Sequence, residues 1–278
     1  MNRLGVFTPR RETLLVGLLV FVLLMTGCAK KVAPPVEGDV AVPEGGHYLD
    51  HTVAEGETLA QVADNYYGDP GVSTRIAKDN GVADPERIIP GSLLRLRFTD
   101  DEWESARQRS AALVPYNKGV DLLANERLAE AEKQFSLALD TAPDLVAAKY
   151  NLALVYLKRG KTEQALVLRK RGKTEQALVL LEELTTLRPT DTDFLFARGN
   201  ALFQSTRFDE AAEQFQAALD VDPKLKRAAF GYARSLQEGQ HTDRAITAWE
   251  RYLELDGTSS WAAAARRNLK LLQDEGDS

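Results

Sequence analysis

The chain has one cysteine, Cys28, three histidines and two methionines among 278 residues. A single cysteine excludes an internal disulfide. His47, His51 and His241 stand apart and give no multi-histidine metal site. A basic surplus is also missing: 35 Lys and Arg stand against 41 Asp and Glu, a net charge of −6. Residues 1–27 hold Arg3, Arg10, Arg11 and Glu12, so the chain from Cys28 onward carries −8. A general nucleic-acid binder needs a basic face for phosphates, which this composition does not supply. No G-x-S-x-G or H-E-x-x-H stretch occurs. Gly160-Lys161-Thr162 and Gly172-Lys173-Thr174 end like a phosphate-binding loop, but the glycine required five residues earlier is Val155 and Val167. The sequence therefore offers no catalytic residue, cofactor or metal ligand, and the expectation is a non-enzyme.

Only one long apolar run is present, Thr13 to Thr26. It is shorter than the roughly 20 residues of a membrane-spanning helix. With arginines in front and small residues behind, it reads as a secretory signal over 1–27. Met25-Thr26-Gly27-Cys28 resembles the bacterial lipobox. That resemblance implies cleavage before Cys28 and lipidation of its side chain, hence a membrane anchor; the other reading is an uncleaved anchor with an incidental cysteine. Ala29 follows, where Asp retains lipoproteins of the enterobacterial type in the inner membrane. The resemblance thus implies the outer membrane, facing the periplasm. Residues 28–47, with Pro34, Pro35 and Pro43, have neither helical nor strand period and read as a flexible tether.

Residues 48–98 have their own pattern. A short alternating segment, Tyr48 to Val53, precedes a turn at Glu55-Gly56-Glu57-Thr58. Thr58 is placed to cap a helix with Leu59, Val62, Ala63 and Tyr66 on one face, closed by Gly68. A second short helix fits Ser73 to Asn80, stopped by Gly81, and Leu94, Leu96 and Phe98 alternate with arginines as a strand. Val53-Ala54-Glu55-Gly56-Glu57-Thr58-Leu59, Asn80-Gly81 and Ile88-Ile89-Pro90-Gly91-Ser92-Leu93-Leu94 resemble the lysin motif (LysM) domain, with Glu57 where Asp is usual. The resemblance implies binding of N-acetylglucosamine-containing glycan, chiefly peptidoglycan. It places Gly56, Glu57, Thr58 and Leu59 on one wall, Ile89, Pro90 and Gly91 on the other, and an amide contact at Asn80. Each residue has a structural reading too: glycines for turns, Thr58 as cap, Leu59 as core. A connector helix follows over 99–111, in which Trp103 packs on one neighbour or the other.

From 112 to 259 the chain repeats itself. Gly119, Ala131, Phe135, Ala138 and Pro143 recur as Gly199, Ala211, Phe215, Ala218 and Pro223, each 80 residues later. A longer unit lies between, and a fourth carries Ala233, Ala245, Trp249 and Tyr252. This spacing resembles the tetratricopeptide repeat (TPR), a helix–turn–helix unit of about 34 residues. The excess over two repeats is explained by KRGKTEQALVL, which stands at 158–168 and again at 170–180, a twelve-residue tandem duplication within 157–180. Only the second copy keeps Ala177, Leu181, Leu184 and Pro189 in register, so it is expected to pack in the array. The first copy is expected to add helix broken near Gly172, with Arg169-Lys170-Arg171 in solvent.

The expected fold class is mainly α: a TPR solenoid preceded by a small β-α-α-β domain, with a capping helix and tail over 260–278. Solenoids present a concave groove lined by the first helix of each unit. Its fifth position holds Tyr116, Tyr150, Phe196 and Phe230, a row suited to anchoring a peptide or equally to ordinary packing. Asn200 and Arg234 stand at the ninth position of the last two units, where some TPR proteins hold a carboxylate; Val120 and Leu154 occupy it in the first two, so a full clamp is absent. The resemblances together imply a lipoprotein scaffold that ties peptidoglycan to a protein partner. The other reading is a purely protein-binding assembly factor with 48–98 as a spacer.

Overall fold

The computed structural model describes residues 46–85, 88–162 and 167–276. The signal, Cys28 and most of the tether lie outside the described residues. The N-terminal domain runs β1 (His47–Thr52), α1 (Leu59–Tyr67), a 3₁₀ turn at Pro70–Val72, α2 (Ser73–Asp79) and β2 (Leu93–Phe98). The two strands pair antiparallel, from His47 opposite Phe98 to Thr52 opposite Leu93. His47, expected in the tether, thus opens the strand, and its ring stacks on Trp103 at 4.6 Å. Thr58 caps α1 in a reciprocal pair with Gln61. The helix turns Leu59, Val62, Ala63 and Tyr66 into the core and ends at Gly68, whose φ of 75° needs a glycine.

Thr99 and Glu102 form a second capping box, which starts α3 (Asp100–Ala124). This helix of 25 residues passes through Pro115 without ending, so the expected connector over 99–111 is not a separate element. It is the N-terminal part of the first helix of unit one. The ring of Trp103 also lies 6.0 Å from Phe98, which settles its neighbour as the N-terminal domain.

The repeats are helical hairpins: α3 with α4 (Leu128–Thr141), α5 (Val146–Thr162) with α6 (Val167–Leu187), α7 (Thr192–Gln204) with α8 (Phe208–Val221), and α9 (Lys226–Glu238) with α10 (Thr242–Leu255). Each hairpin closes on a small residue facing a large one. A Cβ at Gly119 would sit 2.7 Å from the ring of Phe135, and one at Gly199 equally close to Phe215. Unit two instead buries Ala153 and Leu181, and unit four Ala233 and Trp249. The inter-helix turn also recurs: Glu126, Thr206 and Gln240 take φ of 57°, 60° and 62° at the same point of units one, three and four. α11 (Ser260–Gly276) closes the array, burying Ala262, Ala265 and Leu272 and setting Trp261 edge-on to Phe230 at 4.6 Å.

The duplication lengthens both helices of unit two, to 17 residues in α5 and 21 in α6 against 13 and 14 in α7 and α8. Ala177 of the second copy, and Leu181 and Leu184 that follow it in register, are buried as expected. The expected break near Gly172 does not occur, for α6 runs through it. A glycine inside a helix costs about 1 kcal/mol, and the surrounding Lys, Arg, Gln, Glu and Leu are good helix formers. The side chains of Arg169-Lys170-Arg171 lie outside the described residues.

Candidate functional site

Two surfaces are candidates, and the first lies at the end of the small sheet. Beyond the last strand pair the ladder continues irregularly: Val53 N–H donates to Ser92 O at 2.9 Å, and Gly91 N–H donates to Val53 O at 2.8 Å. These bonds bring the Gly56 turn beside the Ile89-Pro90-Gly91 turn. Gly56 and Gly91 have φ of 70° and 83°, so each tight turn depends on its glycine. Ile89 is 73% exposed and Leu93 is 57% exposed, two bare aliphatic side chains, one in the turn and one at the head of β2. Gly56, Pro90 and Gly91 are exposed and Thr58 half-buried.

Two of the expected wall residues, and the expected amide contact, are committed elsewhere. Leu59 is core. Glu57 turns inward: its Oε2 lies 2.8 Å from His51 Nε2 and accepts from Ala54 N–H at 2.8 Å, while Oε1 is buried with no hydrogen-bond partner among the described residues. His51 Nδ1 is 3.2 Å from Tyr66 Oη, and burial, then the Glu57 charge, raises the Tyr66 pKa. Asn80 Nδ2 donates to Ile76 O and Arg95 O at 2.9 and 3.0 Å, and Asn80 Oδ1 accepts from Arg95 N–H at 2.7 Å. The amide thus caps α2 through Ile76 and ties it to β2 through both bonds to Arg95. Leu93 was missed, although the strand alternation that turns Leu94 inward necessarily turns Leu93 out.

The second surface is the face formed by the first helices of the repeats. The aromatic row does not stand open on it. Tyr116, Phe196 and Phe230 are buried, with ring centroids 5.9, 5.7 and 4.9 Å from Phe135, Phe215 and Trp249 of the second helices. Tyr150 is partly buried, 5.2 Å from Phe194. The fifth position therefore contributes mainly to packing within each hairpin.

Polar groups collect on α7 and α9. Asn200 is buried, and its Oδ1 has no partner among the described residues; nor has either amide atom of Gln204, one turn further on. Arg234 lies 4.7 Å from the Phe203 ring centroid and 3.9 Å from Glu238, and burial lowers its pKa. Arg227 stacks over Phe196 at 4.7 Å and pairs with Asp193. The equivalent positions of units one and two are apolar: Leu113 for Asp193, Val120 for Asn200, Ala147 for Arg227 and Leu154 for Arg234. Gln204 and Arg227 escaped the sequence reading, although the i, i+4 spacing from Asn200 points to the first.

The comparisons fall on the same two regions. Residues 116–168, 162–226 and 196–260 match the family described as Tetratricopeptide repeat, together more than half of the chain. Residues 51–97 match the LysM domain. DnaJ homolog subfamily C member 3 of Homo sapiens is 33% identical over 108 residues, 38% of this chain and 18% of that protein, and its Mus musculus counterpart gives the same figures. The chain thus spans less than a fifth of the length of these curated relatives. Among solved structures, YrrB, described as "a TPR protein with an unusual peptide-binding site", is 22% identical with a TM-score of 0.49, over 60% of this chain and 81% of that one. MamA AMB-1 is 23% identical with a TM-score of 0.45, over 52% and 78%.

Proposed function

The chain belongs to the tetratricopeptide repeat family, and on that premise we propose that it is a non-catalytic scaffold holding a protein segment on its repeats and peptidoglycan on its LysM domain. LysM domains and tetratricopeptide repeats are generally binding modules without catalytic machinery. The observation that most supports glycan binding is the bare Ile89 and Leu93 pair beside two glycine turns. Aliphatic side chains suit the methyl and ring faces of N-acetylglucosamine, and the polar backbone of the turns suits its acetamido group. On the repeats, Asp193, Asn200, Arg227 and Arg234 give α7 and α9 a polar character that suits a peptide main chain better than the apolar equivalents of units one and two. Lipidation at Cys28, after removal of 1–27, would hold the scaffold at the outer membrane on the periplasmic side, with 29–45 as spacer. Several acyl chains make such an anchor far more lasting than one.

The test is co-sedimentation of residues 29–278 with purified peptidoglycan sacculi, beside Ile89→Asp and Leu93→Asp. The wild type is expected in the pellet and both variants in the supernatant with unchanged circular dichroism. A wild type left in the supernatant overturns glycan binding. A second reading then stands, that of a protein-binding assembly factor whose LysM domain is a spacer. It is favoured by the commitment of Glu57, Leu59 and Asn80 to the fold itself.

A further inference from the structure

We infer that the LysM domain is a built-in occupant of the repeat array, seated on the first-helix face of units one and two as the solenoid's N-terminal cap and leaving units three and four as the groove. The last clause rests on the groove reading above; the seating does not.

The seat is built from α1 against α3 and α5, the first helices of units one and two. Arg109, Leu113, Tyr116 and Val120 follow one another on a single stripe of α3. Arg109 begins it: its Nη1 donates to Tyr66 O at 3.4 Å, and it pairs with Asp144, just ahead of α5. The Arg109 guanidinium lies close over Gly68, where a Cβ would come within 2.7 Å of its Nη2 and push the side chain aside. Further along, Arg188 after α6 pairs with Asp64 of α1 across 124 residues of sequence. Both side chains are mostly buried, 23% and 14% exposed, so the pair is held and little screened.

The apolar surfaces agree. Val62, Ala63 and Tyr66 of α1 belong to one continuous buried cluster with Leu113, Tyr116 and Val120. Leu113 is fully covered, whereas its equivalent in unit three, Asp193, is exposed. The end units of a solenoid have a face without a neighbouring repeat and must cover it. The sequence follows the covering: the second and ninth positions are apolar where the domain is seated (Leu113, Val120, Ala147, Leu154) and polar where it is not (Asp193, Asn200, Arg227, Arg234). The first helices α7 and α9 then remain as the part of this face that the domain does not cover.

Amide hydrogen exchange on the full chain tests the seat without any ligand, so it stands or falls apart from the groove reading. The helices α1, α3 and α5 are expected to exchange as one cooperative unit. Arg188→Glu places like charges together at Asp64 and should speed exchange in both 59–67 and 146–157 by roughly threefold or more. Asp64→Arg should act alike, and the combined charge swap should restore protection in both segments. Exchange of α1 that is independent of α3 and α5 would overturn the inference. So would an Arg188→Glu effect confined to the residues flanking 188, or a charge swap as damaging as either single change.

Discussion

At the scale of single residues, the repeat is a set of paired volumes. Gly199 has no room for a methyl because the Phe215 ring stands where it would go. Gly199→Ala should therefore destabilise by about 1–3 kcal/mol, measured by urea unfolding. Unit two has Ala153 and Leu181 at the equivalent positions, both buried, as the sequence spacing of a compensating pair requires. Phe215→Leu placed on Gly199→Ala should then cost less than the sum of the two single changes, and simple additivity would sink the pairing argument. These pairs were legible in the sequence because the partners keep a fixed spacing within one hairpin. The orientation of the fifth-position aromatics was not. Spacing reports which residues share a helix face, whereas Tyr116, Phe196 and Phe230 are drawn inward by rings on the next helix. Glu57 escaped for a similar reason: its motif places it in an exposed turn, and only the fold brings His51 to within 2.8 Å of its carboxylate.

At the scale of elements, α3 carries the most weight, and its start is ionic. Burial would raise the Glu102 pKa, but hydrogen bonds from Thr99 and Arg75 outweigh it and hold the carboxyl below its ordinary 4.5. A carboxylate depressed in the folded state contributes stability that is present above 4.5 and lost as pH falls through the folded value. Melting temperatures taken on both sides of that pH should fall more steeply for the wild type than for Glu102→Gln; parallel curves would show that the cap carries no linked proton. Helix existence and the cap of α1 were readable from Thr58 and the apolar periods. The course of α6 was not, because Gly172 and its flanking helix formers send opposite local signals, and the helix formers prevail.

At the scale of the whole molecule, the order of domains could be read from the sequence and their joint could not. Asp64 and Arg188 are too far apart in the chain for any local pattern to join them. The joint changes how the protein should be dissected. Removing 48–98 uncovers Leu113 and Tyr116, so the remaining repeats should melt at lower temperature and bind a hydrophobic dye such as ANS. Repeats that melt unchanged after that deletion would count against a capping role. Loss of wall binding in the truncated chain would then report a damaged solenoid as readily as a missing glycan site, which is why point variants at Ile89 and Leu93 are the cleaner probe. The unbroken α3 has a mechanical side as well. Its 25 residues span about 37 Å of continuous helix and carry both the LysM sheet and the first hairpin. With no loop between them to act as a swivel, the LysM sheet and the first hairpin are expected to turn together, as two loads on one shaft.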